Sequence, residues 1–289
     1  MQNLSAKATE KKLLSHFNQV AREYDAHAFF QREVGERLMD RLDMIKLRPT
    51  TVLDLGGGTG YMANLLSERF PEALVVNCDF AEQMLRMARK NSNDNQNVKN
   101  DLMTAKAEML PFKTSSVDIV FSNLHLDWVL KPMPVLSEIK RVLTPEGVMV
   151  FSSLGQNTLK ELKTCFAKID DKKHVNQFYD MHDLGDGLLK LGFIQPVIAS
   201  ETLTIEYLKL DDLILDLRKT GSHFVFNEGK QGLRGSKIYK ALKGHYEEYR
   251  NNQGNLPVTI EVIYGQAWGS HEKDFPENAR TIKIQQIVS

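Results

Sequence analysis

One run of seven residues narrows the possible folds of this chain more than any other. Asp54-Leu55-Gly56-Gly57-Gly58-Thr59-Gly60 follows the apolar, β-branched Thr51-Val52-Leu53 and precedes an amphipathic stretch from Tyr61 to Phe70. It reads as a strand that ends in glycines and opens a helix. Glycines there let backbone approach a ligand and adopt positive φ, and the helix N-terminus adds unpaired N–H groups. Spacing decides which ligand such a turn serves. A dinucleotide fingerprint needs Gly-x-Gly-x-x-Gly; counted from Gly56, its last glycine falls on Tyr61. A phosphate loop needs Gly-Lys-Ser/Thr, which does not follow. What remains is Gly-x-Gly-x-Gly behind an acidic residue, with a ligand-free structural turn as the bland alternative.

The segments around this turn alternate strand and helix. Two amphipathic helices come first: one with Leu13, Leu14, Phe17, Val20, Ala21 and Tyr24 on a single stripe, and one from Phe29 to Leu42. Strands are expected at 51–55, 73–79, 102–107, 117–123 and 147–152, with helices at 61–70, 81–91 and 133–143 between them. That rhythm predicts an α/β fold with a parallel sheet covered on both faces. Beyond Ser153 it changes: helices at 158–166 and 183–191, one or two strands within 194–207, helices at 211–219 and 237–250, and a strand at 258–268. The sum is a sheet of about seven strands with a helical insertion before the last one.

Charge and cysteine content exclude several function classes. Basic and acidic side chains balance at 37 each, and no basic run appears, so nucleic acid is not expected as a partner. Cys78 and Cys165 supply neither a disulfide framework nor a metal spacing; Cys78, in an apolar run, reads as a core residue. Met1 to Leu14 is polar and lysine-rich, and no stretch approaches the ~18 apolar residues of a membrane span. A reducing, cytoplasmic setting with no membrane association is the expectation.

Asp79 ends the second strand, 25 residues after Asp54. An acid there accepts hydrogen bonds from ribose hydroxyls in nucleotide-binding sheets, and Phe80 is placed to pack on a base; a plain N-cap for the next helix is the alternative. The glycine run with its acid resembles the nucleoside-binding motif of class I S-adenosyl-L-methionine-dependent methyltransferases. Ala107-Glu108-Met109-Leu110-Pro111-Phe112 is similar to their adenine-lining segment, and Ser122-Asn123-Leu124-His125-Leu126-Asp127-Trp128 to the strand end that faces the methionine part. The resemblance implies a Rossmann-like sheet and S-adenosyl-L-methionine as cofactor. It implies Asp54, Gly56, Gly58, Asp79, Phe80 and Asn123 as cofactor-binding residues, with Glu108 and Met109 binding through their backbone. Lys106 stands where the family often has aspartate.

The resemblance narrows further. Phe17-Asn18-x-x-Ala21-x-x-Tyr24-Asp25-x-x-Ala28-x-x-Gln31 looks like the N-terminal lid of the malonyl-acyl-carrier-protein O-methyltransferases of biotin synthesis. Ser122-Asn123-Leu124-x-Leu126-x-Trp128 is similar to that family's Ser-Asn-Leu-Ala-Leu-Gln-Trp. Thr158-Leu159-x-Glu161-Leu162, His174-x-Asn176-x-Phe178, Leu217-Arg218-Lys219-x-Gly221, Gly232-Leu233-x-Gly235 and Pro257-Val258-Thr259-x-Glu261-Val262 also fit. Gly57 departs from the usual cysteine or alanine. The likeness covers roughly residues 12 to 268 and divides the chain into a lid (1–45), a cofactor-binding core (46–210), a helical cap (211–256), and a last strand with tail (257–289).

The family implies methylation of the free carboxylate of a malonyl group on acyl carrier protein. Such a carboxylate is ionised near neutral pH, so no general base is required, and a cation should hold it. Arg218 is the first choice and Lys219 the second, against a solvated helix face. Tyr24 is expected to close over the cofactor, against simple core packing, and Gln31 to anchor the lid as a polar group or to lie at the surface. His125 reads as cofactor-proximal or structural, His174 as ordering its loop, and Trp128 and Trp268 as packing residues. A basic patch for the acidic carrier is expected from Arg218, Lys219, Lys230, Arg234, Lys237 and Lys240. Three rivals stand beside this reading. Mitochondrial complex I assembly proteins, one of them an arginine hydroxylase, have a lid similar to Phe30-x-x-Glu33-Val34-Gly35-x-Arg37. The other two are a small-molecule or lipid methyltransferase and a non-enzymatic scaffold.

Overall fold

The computed structural model describes residues 2–93, 100–222, 225–226 and 236–269. Seven strands form one sheet in the order β3-β2-β1-β4-β5-β7-β6. They are β1 (Thr51–Leu55), β2 (Leu74–Asp79), β3 (Asn100–Thr104), β4 (Val117–Ser122), β5 (Leu143–Leu154), β6 (Ile194–Tyr207) and β7 (Leu256–Trp268). Strands β1 to β5 pair in parallel. Strand β7 runs antiparallel to both neighbours, β5 and β6, so the sheet is mixed rather than wholly parallel. Burial periodicity reports which faces are covered, not chain direction, and direction was therefore not readable.

Strand β7 is buried at nearly every position, because sheet and helices enclose it. Edge strand β6 alternates half-buried and exposed residues over its whole length. The other edge strand, β3, begins two residues before the expected 102. Its polar Asn100 and Asp101 are tolerated where one flank faces solvent, which is why the sequence signal is weak there.

Ten helices accompany the sheet among the described residues: α1 (Gln2–Val20), α2 (Tyr24–His27), α3 (Phe29–Asp40), α4 (Tyr61–Arg69), α5 (Glu82–Asn93), α6 (Pro132–Val142), α7 (Lys160–Ala167), α8 (Met181–Lys190), α9 (Leu210–Lys219) and α10 (Ser236–Tyr246). One face of the sheet packs Val34 and Leu38 of α3, Leu66 of α4 and Leu213 of α9 around Phe121 and Tyr264. The other packs Leu136 and Ile139 of α6 and Leu188 of α8 around Val120 and Phe151. The predicted stripe on α1 buries Leu13, Phe17 and Ala21 against Ala81 and Met84 of the α5 region. Burying a leucine or phenylalanine contributes about 1.5–3 kcal/mol, so this prefix is held by its own small core. No helix of the described residues is long and apolar enough to cross a membrane.

Strand order reverses between β1 and β4: the chain builds outward through β2 and β3 on one side, and through β4 and β5 on the other. Ligands of open α/β sheets bind beyond the carboxyl ends of the strands at such a point. The glycine run follows β1 and the Asn123 segment follows β4. The connection between β6 and β7 carries α9 and α10, which lie over the β7 side of the same sheet face.

Candidate active site

A cavity of about 670 Å³ opens at this switch point, within the ~300–1,000 Å³ range of small-molecule sites. Its walls come from the glycine run, the ends of β2 and β4, the α1–α3 prefix and the helices between β6 and β7. Of the sequence-predicted residues, Tyr24, Asp54, Gly56, Gly58, Asp79, Phe80, Asn123 and Arg218 all line it. Glu108 and Met109 do not. Both side chains are exposed, Met109 at 76%, and the Met109 N–H closes a turn onto the Lys106 carbonyl (3.1 Å). The side chains at these two positions therefore stand outside the cavity wall. Neighbouring Lys106 pairs instead with Glu10 of α1.

The glycines do distinct work. Gly58 has φ +53°, and a Cβ there would meet nothing within 4 Å, because that side faces the open cavity. Gly57 is the reverse case: a Cβ would lie 2.3 Å from Asp54 Oδ2 and 2.6 Å from Asn77 Oδ1. The volume that cysteine or alanine takes in the resembling family is filled here by two buried polar side chains. Gly56 packs directly under the ring of His125.

Asp79 carries two tasks at once. Its Oδ1 accepts the Ala81 N–H (2.7 Å), closing the turn that leads into the next helix, and its Oδ2 accepts the Gly58 N–H (3.1 Å), tying β2 to the glycine run. Burial pushes its carboxyl up to about 6 against those hydrogen bonds. Asp54 is raised further, to about 7, by burial and then by the charge of Asp79. Two buried acids at raised pKa, with no cation paired to either among the described residues, leave a site short of positive charge and of hydrogen-bond donors. Phe80 stands beside them, edge-on to Phe17 at 5.9 Å. Such a pocket fits a nucleoside that offers hydroxyl donors at one end and a cationic group at the other. The hydroxyl of Tyr24, which lines the same cavity, is raised by burial and by the carboxylates of Asp79 and Asp25.

The prefix is fastened by contacts that the sequence did not reveal, several of them made by residues with no expected role, such as Asp25, His27 and Asp216. Asp25 accepts from the Thr59 hydroxyl (2.6 Å) and from Asn91 Nδ2 (3.0 Å), and lies 3.4 Å from Arg32 Nη2. Asn123 donates from Nδ2 to the Gln31 carbonyl (2.8 Å) and accepts at Oδ1 from Ser152 (2.7 Å). Gln31 thus meets the β4 end through its backbone carbonyl. Contacts to the helices between β6 and β7 complete the clasp. His27 Nδ1 lies 2.8 Å from Asp216 Oδ1, whose Oδ2 accepts from Tyr207 (3.1 Å). Lys219 pairs with Glu23, and His16 Nε2 lies 3.1 Å from the Gly221 carbonyl. These partners were invisible in sequence because up to 205 residues separate them.

Arg218 is exposed at the cavity, and no carboxylate pairs with its guanidinium among the described residues. Lys219 is already paired. Burial drives His125 down to about 4, leaving it neutral at physiological pH. Asp127, also in the wall, is pushed up to about 7 by burial; it accepts from Ser153 (2.7 Å) and from the Leu154 N–H (3.0 Å), joining the β4 end to β5. His174 lies 2.8 Å from Asp170 and stacks on Phe166 with centroids 4.0 Å apart, an ordering role. Trp128 packs edge-on to Phe17 at 5.1 Å.

Comparison with known proteins agrees with this geometry. A family model described as a methyltransferase domain matches residues 53–151. A malonyl-(acyl-carrier protein) O-methyltransferase of Laribacter hongkongensis is 40% identical over 265 residues, 90% of this chain and 89% of that protein. Another of that name, from Gallionella capsiferriformans, is 38% identical over 278 residues, covering 95% and 96% of the two chains. Among solved structures, a phosphoethanolamine N-methyltransferase of Haemonchus contortus in complex with S-adenosyl-L-methionine superposes with a TM-score of 0.53. It covers 88% of this chain and 57% of that one at 16% identity, a likeness of fold.

Proposed function

The chain belongs to the malonyl-(acyl-carrier protein) O-methyltransferase family, and we propose that it methylates the free carboxylate of a malonyl thioester borne by acyl carrier protein, with S-adenosyl-L-methionine as donor, as in biotin synthesis. The observation that carries this reading is one cavity lined both by buried acids with no cationic partner and by a guanidinium with no carboxylate partner among the described residues. When bound, the cofactor supplies an electrophilic methyl group on a sulfonium.

The residues divide the remaining work. Asp79 accepts the ribose hydroxyls, Phe80 packs on the base, Gly58 gives the close backbone approach, and Asp54 faces the cationic amino-acid end. Arg218 takes the substrate carboxylate in a two-pronged fork, the geometry a guanidinium matches. A carboxylate is ionised at neutral pH, so none of the neighbouring groups has to remove a proton. That agrees with a neutral His125, which is available neither as a cation nor as a strong base. Catalysis is then alignment and exclusion of water. Tyr24 and the clasped lid cover the acids, while Asn123 keeps the β4 end and lid in register.

The carrier is acidic in the reading drawn from the family, and exposed Lys237 and Lys240 of α10 lie beyond Arg218 in the chain. Lys219 contributes less, because Glu23 neutralises it; Lys230, Arg234 and the Gly232–Gly235 motif fall outside the described residues. Incubation with methyl-labelled cofactor and malonyl thioesters, carrier-bound and coenzyme-bound, tests the function. Label in a base-labile ester is expected. Tight cofactor binding without transfer to either thioester would refute the reading in favour of a scaffold.

A further inference from the structure

The cavity wall changes chemistry along its length. Around the glycine run it is polar and acidic. Toward the strand pair β6–β7 it becomes a lobe walled by Leu162 and Phe166 of α7, Ile205 of β6, Leu213 of α9, and Val258 and Ile260 of β7. None of these six side chains bears a polar atom, and five of the six are buried. The adjacent Thr158 hydroxyl already donates to the Glu261 carbonyl (3.0 Å). An interior lobe of this kind cannot receive the surface of another protein. It can receive a slender apolar ligand.

Neither reactant of the proposed reaction matches it. The cofactor is polar at both ends, and a malonyl group has a single methylene between two polar carbons. An apolar wall gains nothing from either, whereas each buried methylene of an alkyl chain stabilises binding. The charged groups beside the lobe set the other requirement. Asp216 is engaged by His27 and Tyr207, while Arg218, in the wall of the same cavity, has no carboxylate partner among the described residues. A hydrocarbon tail joined to a single carboxylate satisfies both features.

We propose that this lobe is a binding site for medium-chain aliphatic carboxylic acids, the tail lying among Leu162, Phe166 and Ile260 and the carboxylate on Arg218. Such acids then compete with the malonyl thioester. Only the competition rests on the function proposed above; the binding itself does not.

Calorimetric titration of hexanoic, octanoic and decanoic acid into enzyme loaded with S-adenosylhomocysteine tests the site. Kd is expected to fall by about fourfold per added methylene until the lobe is full. Octanol should bind at least tenfold more weakly than octanoic acid, and Arg218→Gln should erase that difference while keeping the chain-length slope. Leu217→Phe, which narrows the lobe, should flatten the slope, with melting temperature and S-adenosylhomocysteine affinity confirming an intact fold. Octanoyl-coenzyme A, run alongside, separates free acids from thioesters: tighter binding of the thioester, whose carboxyl is masked, would overturn the role of Arg218. Affinity independent of chain length would overturn the lobe, and octanoate binding that leaves an active malonyl transfer uninhibited would overturn the placement of its carboxylate on Arg218. Failure of the function reads differently, as normal octanoate binding with no transfer to any malonyl thioester.

Discussion

Cofactor binding should be linked to protons, and the structure sets the size of the effect. Asp54 and Asp79 are buried, with carboxyls at about 7 and about 6. A cationic ligand with hydroxyl donors favours the ionised form of each, which lowers both values in the complex. The bound state therefore holds fewer protons than the free enzyme. Affinity is full above about pH 7 and is lost as pH falls toward 5, where the free acids must first be deprotonated. With Asp54 about 1% ionised and Asp79 about 10% ionised at pH 5, the two factors multiply to a loss of several hundred-fold between pH 7.5 and 5, roughly 4 kcal/mol. Calorimetry of S-adenosylmethionine binding across this range, in two buffers of different ionisation enthalpy, measures both Kd and proton release. At pH 6 about 1.4 protons should leave per cofactor bound. Asp79→Asn should remove its own factor, reduce the charge that raises Asp54, and move the remaining dependence to lower pH. A Kd that stays flat from pH 5 to 7.5, or proton uptake on binding, would refute the reasoning.

Three further outcomes follow from single contacts. Arg218→Ala should lower kcat/KM for the malonyl thioester by about 10- to 150-fold, the loss of a charged hydrogen bond, with cofactor Kd unchanged by calorimetry. Asp127, pushed up to about 7 when folded, costs stability progressively as pH rises from about 4 to 7. Asp127→Asn retains an acceptor for Leu154, and it should therefore gain stability over the native chain at pH 8 but not at pH 4, by up to a few kcal/mol in urea melts. Lys219→Met breaks an ion pair between solvent-exposed groups, so melting should change little, while cofactor release in stopped flow should quicken as the lid loosens.

The glycine spacing, Asp79 and the β–α rhythm were legible because each is a short-range property: turn chemistry and periodicity are written within a few residues. The same holds for the α1 stripe, where Leu13, Phe17 and Ala21 bury as their spacing predicts. Glu108 and Met109 show another kind of dependence: the motif assigns them backbone contacts, and the path of the chain leaves both side chains exposed.

The sequence alone therefore determined the sheet's parallel half, the glycine turn at the switch point and the two acids that line the same cavity. Only the tertiary structure decided that β7 runs antiparallel between β5 and β6, that Asp25 pins the lid to Thr59, and that His27 meets Asp216 across 189 residues. It also decided that Arg218 has no acidic partner among the described residues while Lys219, the next residue, is paired. Local backbone preference acts within a turn or two of chain; which distant groups meet is set by how the buried faces pack, and the geometry of the site is made of such meetings.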